Sequence, residues 1–279
     1  AIFFLFLFFS ISSIFFTQIY LNSFKTSFQR IIASFLEVDE FSYSHIQGNL
    51  IKGFDIADLS ITSAEYSFNS KKSYIDINLG HILNNQKKIN SIKLDDVKIL
   101  LDKISFSNNT NRSIIKKVEI KDVQIVYKDD SVFVEKIELL EKYESEDDFY
   151  YFLKGYNGNG HLWGFNLNIQ EIKSQIFSDY FKYVAEIDNF ESTSITFEKI
   201  RLSGEGRAVT DFTSKFEGIN TKILDKNFSD FFGEVAYSNN TFFIHLDEID
   251  EKNAKDYSLL GTINVQDTLI NLNSVNLKI

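Results

Sequence analysis

The stretch Ile92-Lys-Leu-Asp-Asp-Val-Lys-Ile99 decides the fold class. Apolar residues alternate at Ile92 and Leu94, miss a step across Asp95 and Asp96, and resume at Val97 and Ile99. Alternation at period two marks a strand with one apolar face. In a straight strand the missed step would turn Val97 and Ile99 away from Ile92 and Leu94. A bulge or corner at the polar residue keeps all four on one side and bends the chain.

The same unit, apolar-x-apolar-x-polar-apolar-x-apolar, recurs along the chain. It is found at Phe54, Ile56, Asp58, Leu59, Ile61 and at Val118, Ile120, Asp122, Val123, Ile125. Further copies are Val132, Val134, Lys136, Ile137, Leu139, then Ile195, Phe197, Lys199, Ile200, Leu202, and Ile270, Leu272, Ser274, Val275, Leu277. Ile99, Leu101, Lys103, Ile104, Phe106 continues the opening stretch in phase. Repeated bends predict an all-β chain over residues 38–279, an elongated curved sheet or solenoid-like array with an apolar groove. Asp58, Asp96, Asp122, Lys136 and Lys199 are expected at the bends. The strand pattern runs to Ile279 without a closing loop, so more strands are expected downstream.

Asn/Ser/Gly/Lys clusters at 69–73, 84–88, 107–113, 157–160 and 238–241 have turn chemistry. Ile172, Ile176, Tyr180 and Val184, four apart, suit a helix face over 171–184. The acidic-then-aromatic stretch 141–153 is open to either reading.

The N-terminus has another character. Ala1 to Phe24 carries no charge, and its apolar run is long enough to span about 30 Å of hydrocarbon. No small-x-small cleavage site follows, so residues 1–21 are expected to be an uncleaved transmembrane signal anchor, with a cleaved signal peptide or a buried helix of a soluble protein as the alternatives. Phe24, Phe28, Ile31, Ile32, Phe35 and Leu36 recur at helical spacing, which predicts an amphipathic helix over 22–37.

The composition excludes much chemistry. The chain has 279 residues and a net charge of −10, with no dense basic stripe, so nucleic acid is not an expected partner. It has no Cys, which removes disulfides, thiolate metal sites and Cys nucleophiles. His45, His81, His161 and His245 are scattered without ligand spacing, and no metal or cofactor is expected. There is no GxSxG and no phosphate loop; the glycines of 155–164 are expected to form a turn cluster around Trp163. Asp95/Asp96, Asp129/Asp130 and Asp147/Asp148 are expected to be solvated turn residues. No catalytic residue is expected.

The order of these features carries a resemblance. An uncharged anchor and an amphipathic stretch precede Ile46-Gln-Gly-Asn-Leu-Ile-Lys-Gly-Phe-Asp-Ile-Ala-Asp-Leu-Ser-Ile61, and after nearly thirty residues comes Ile89-Asn-Ser-Ile-Lys-Leu-Asp-Asp-Val-Lys-Ile-Leu-Leu101. Over residues 1–102 this resembles the start of TamB and AsmA-like proteins of Gram-negative envelopes. The segment 78–88 lacks the Trp or Pro often found there in those families. The resemblance implies an inner-membrane protein with a single membrane pass and its β domain in the periplasm. It also implies phospholipid movement between membranes or outer-membrane assembly, with phospholipid acyl chains, the inner membrane and an outer-membrane assembly protein as partners. Phe54, Ile56, Leu59, Ile61, Ile92, Leu94, Val97, Ile99, Val118, Ile120, Val123 and Ile125 are the expected lining of the lipid groove. The alternative is a structural or adhesive β-solenoid of the envelope that moves no lipid.

Overall fold

The computed structural model describes residues 25–36, 38–49, 53–77, 89–102, 115–143, 149–162, 164–177, 180–208, 211–223, 226–238, 241–249, 258–266 and 269–278. Nearly all of these are strand, as the alternation predicts. The expected anchor over 1–21 and the turns at 84–88 and 107–113 lie outside them. Among the described residues no helix is long and apolar enough to cross a membrane.

One helix, α1 (Lys25–Leu36), forms inside the expected amphipathic segment. Thr26, Ser27, Arg30 and Ser34 are exposed on it. It ends with Val38 N–H donating to the Ala33 carbonyl at 3.0 Å, and Lys25 Nζ ties its start to the Ser44 carbonyl at 3.0 Å.

The strands fall into two units. In the first, β1 (Glu40–Ser42) and β2 (His45–Asn49) both pair with β3 (Gly53–Thr62), as one strand interrupted opposite Asp58 and Leu59. Antiparallel β4 (Tyr66–Ile77) and β5 (Ile89–Leu101) follow, then β6 (Lys117–Tyr127), which is parallel to β5. Gly48 and Gly53 close the first hairpin at φ 119° and 86°, where a side chain would be strained. A Cβ on Gly53 would also meet the Ile75 carbonyl oxygen at 2.7 Å.

β7 (Asp130–Tyr143) gives residues 136–141 to the first unit and the rest to the second. The second unit continues with β8 (Phe149–Leu162), β9 (Phe165–Ile176), β10 (Phe181–Glu191), β11 (Ile195–Ala208) and β12 (Asp211–Ile223). The short β13 (Lys226–Asn227), β14 (Asp230–Ser238), β15 (Thr241–Ile249), β16 (Ser258–Gln266) and β17 (Leu269–Lys278) complete it. Among the described residues the strands from β8 onward pair antiparallel.

The missed step is a corner in the backbone. Asp58, Asp96 and Asp122 sit in mid-strand at φ 50°, 54° and 51°, in the left-handed region. Asn157, Asn189 and Asn220 do the same in the second unit at φ 49°, 51° and 49°. All six are Asp or Asn, whose short polar side chains tolerate that region best after glycine. Of the five residues expected at bends, Lys136 and Lys199 have no left-handed φ. For Lys199 the reason is strand direction: β8, β10 and β12 carry the left-handed residue, while antiparallel β9 and β11 turn the same corner without one. In β11 the outward residue at the corner is Glu198, opposite Asn189 and Asn220, with Lys199 beside it in regular pairing. β17 bends differently, by a bulge that leaves Asn273 out of the ladder next to Ser274.

Several local expectations need correction. Among residues 171–184, those described are not helical but form the end of β9 and the start of β10. A spacing of four is a multiple of two, so Ile172 and Ile176 satisfy strand and helix alike. Residues 69–73 lie inside β4 and residues 155–162 inside β8, not in turns. Their small residues belong on the inside of the corner. The cluster at 238–241 does mark the join between β14 and β15.

Glycines in the second unit make room for aromatic rings. A Cβ on Gly218 would lie 2.7 Å from Phe197 Cδ1 and 2.8 Å from Phe216 Cε1. Gly218→Val is therefore expected to destabilise the chain by about 1–3 kcal/mol through overpacking, read as a lower urea midpoint.

Candidate functional site

The corner turns both limbs of each strand so that one face is inside. In the first unit the cross-strand register brings the twelve expected groove residues into four rows, with a β4 residue in each. The rows are Phe54–Ile75–Ile92–Val118, Ile56–Ser73–Leu94–Ile120, Leu59–Ser70–Val97–Val123 and Ile61–Phe68–Ile99–Ile125. Residues directly opposite in a sheet share a face. Both limbs meet on one side: Ile56, Leu59, Tyr43 and Ile46 form a buried cluster, with Phe54, Ile61, Phe68 and Ile75 packed against it.

Burial grades across the rows. The two rows beside the corner hold Ile56, Leu59, Leu94, Val97 and Val123, all buried, with Val123 at 0% and Val97 at 1% exposure. Ser70 and Ser73 let the limbs close there, and their hydroxyls are satisfied. Ser70 Oγ donates to the Lys72 and Asp95 carbonyls at 2.9 and 3.1 Å, and Ser73 Oγ donates to Ser70 Oγ at 3.2 Å. The two outer rows, from Phe54 to Val118 and from Ile61 to Ile125, are only partly buried. The corner is thus a packed seam and the limbs above it an apolar surface still reached by solvent. Sequence reasoning found the face but missed Ile75 and Phe68, which complete the outer rows. They flank Ser-Lys-Lys-Ser, which masks the repeat.

The outward face is polar. Lys71 pairs with Asp96 across the corner line, and Lys136 reaches Glu119 at 3.8 Å and Glu138 at 2.9 Å.

The second unit repeats the plan with more aromatic residues. Its inward rows include Ile176–Phe181–Gly206–Phe212–Tyr237 and Ile172–Ala185–Leu202–Phe216–Gly233. Rings meet across strands, as in Phe165 stacked on Phe190 at 4.5 Å and Phe197 edge-on to Phe216 at 5.5 Å. Burial pushes the Tyr183 phenol above its ordinary pKa. Thr221, 1% exposed opposite Phe197, has a hydroxyl without a hydrogen-bond partner.

Outside, the charges alternate. Lys199 and Arg201 hold Glu186 at 2.9 and 3.6 Å, and Arg201 also reaches Glu217 at 3.2 Å. The hydrogen bond from Lys199, then the two cations' charge, keep the Glu186 carboxyl below its ordinary pKa against the opposing effect of burial. A carboxylate whose pKa is lowered on folding stabilises the fold above its unfolded pKa, and the gain fades as pH falls through the folded value. The group is partly exposed, so Lys199→Ala is expected to cost under about 1 kcal/mol at pH 7 and to converge with the parent as pH falls through the folded value, read in urea titrations.

Among the described residues no three His, Cys, Asp or Glu side chains are placed to hold a metal ion. No protein family, curated protein or solved structure matches the chain.

Proposed function

We propose that this is an envelope protein whose inward β face carries phospholipid acyl chains. The observation that carries the reading is the graded inner face of the first unit, where partly exposed apolar rows stand above a packed seam and the outer face is charged. Such a surface lowers its free energy when hydrocarbon covers it, by about 25 cal/mol per Å² of apolar area removed from water. Acyl chains fit a face with few polar groups, and head groups remain in water beyond the limbs. No side chain reacts; the residues supply only a surface along which tails move. The resemblance to TamB and AsmA-like proteins supports the same reading. It adds an N-terminal inner-membrane anchor, a periplasmic β domain and an outer-membrane assembly protein as a partner.

The experiment is mass spectrometry of lipids that co-purify with the full chain after detergent exchange. Phospholipid retained by the parent is expected to fall severalfold when Ile99 and Ile125 are both changed to Asp while strand content holds. Equal lipid in parent and variant would leave the structural reading, an envelope β array that moves no lipid.

A further inference from the structure

Folding asks for one apolar face per sheet, and over most of the second unit the outward face is charged. The end of β9 and the start of β10 break that rule. Tyr151, Ile176 and Phe181 form an inward row there, so alternation turns Tyr150, Phe177 and Tyr180 outward. Their rings stack, Tyr150 on Phe177 at 5.1 Å and Phe177 on Tyr180 at 4.3 Å. One row further in, Phe152 and Lys182 flank Gln175 on the same outward side. Lys182 Nζ lies 5.6 Å from the Tyr180 ring centre, and Lys154 Nζ lies 5.8 Å from that of Phe152.

The other ends of the same three strands are different. Their outward positions include Asn159 and His161 on β8, Asn166 and Asn168 on β9 and Glu191 on β10, all exposed. One edge of β8–β10 is thus aromatic on both faces, and the opposite edge is polar on its outer side. Core packing explains the inward rings only.

We propose that the Tyr150–Phe177–Tyr180 edge rests in the interfacial zone of a phospholipid bilayer. Tyrosine suits that zone, since its ring sits among glycerol and upper acyl groups while its hydroxyl stays hydrated. Lys182, exposed on the outward side, complements the phosphates, its stem running beside the Tyr180 ring, while Lys154 is held by Glu171 at 3.8 Å. An aromatic edge on both sides enters such a layer without turning a charged face into it. The inference rests on the outward rings and not on the inner face, so either can fail alone.

The chain has no Cys, so a single introduced thiol takes a fluorophore at one place. Gln175→Cys puts the dye inside the aromatic patch, and Asn168→Cys puts it on the polar outer side of the same strand. Full chain carrying either label is mixed with phosphatidylcholine vesicles containing a spin-labelled lipid. Emission at position 175 is expected to fall about threefold and emission at 168 to stay nearly constant. Adding Tyr150→Ser, Phe177→Ser and Tyr180→Ser should bring position 175 to the behaviour of 168, with strand content unchanged by circular dichroism. An N-terminal anchor would bring both labels near the vesicle, so the contrast between them is the readout. Equal quenching at the two positions overturns the proposal. So does a blue-shifted but unquenched label at 175, which would mean that protein, including a second copy of the chain, covers the patch.

Discussion

Val123→Asp is expected to unfold the first unit. Val123 is fully buried on β6 and lies opposite Val97, itself 1% exposed on β5. Among the described residues its row holds Val97, Ser70 and Leu59, none of them charged. The valine gives up about 1.5–3 kcal/mol of burial, and an unpaired carboxylate in its place costs several kcal/mol more or takes up a proton. The sum approaches the whole stability of an ordinary domain, about 5–15 kcal/mol. Val123→Ala leaves a small cavity and is expected to cost about 1–3 kcal/mol. Ile125→Asp, on a partly exposed row two residues away, is expected to fold. Circular dichroism with urea titration on the three variants checks the order; an Asp at 123 as mild as one at 125 would mean the corner is not a packed seam.

The second large effect is in the backbone. Replacing Asp58, Asp96 and Asp122 together by Val is expected to cost roughly 3–6 kcal/mol, because a β-branched residue resists the left-handed region by about 1–2 kcal/mol at each site. Asp96 and Asp122 sit side by side on β5 and β6, and Lys71 of β4 stands between Asp58 and Asp96, so the sum is not strictly additive. The triple Gly variant is expected to stay within about 1 kcal/mol of the parent, since glycine accepts that φ at some entropic cost. Lys199→Val, on a strand that needs no left-handed residue, is expected to cost under about 1 kcal/mol, from the loss of its Glu186 pair alone. Urea midpoints decide it. If Val and Gly triples behave alike, the corner does not depend on these backbone angles.

The amino-acid pattern made the inner face legible because alternation with a missed step has few physical solutions. A sheet that keeps Ile92, Leu94, Val97 and Ile99 on one side must bend between Leu94 and Val97, and it does so at Asp96. The pattern hid what depends on a neighbour. Gly155, Gly158, Ser70 and Ser73 look like turn residues along the chain, and only the adjacent strand reveals them as the small partners of a tight corner. Lys199 shares its place in the repeat with Asp58, but its strand runs against β10 and β12, which carry the left-handed residue, and direction is not written in eight residues. The parallel pairing of β5 with β6 was equally hidden, since both strands carry the same unit in the same phase. In the second unit inward positions alternate between rings and glycines, as at Phe181, Gly206 and Phe212, so the repeat fades although the face continues.

The proposed lipid face is tested most directly by photo-crosslinking in intact cells from Ile99 and, as a control, from Lys98. Ile99 lies on an inward, partly buried row, and Lys98 is the next residue, exposed on the outer side. Leu94, in the seam, is a poorer probe because it touches protein on all sides. The account expects an acyl-chain adduct at position 99 and none at 98. Crosslinks at 99 to protein alone, with the strand signal intact, would contradict it.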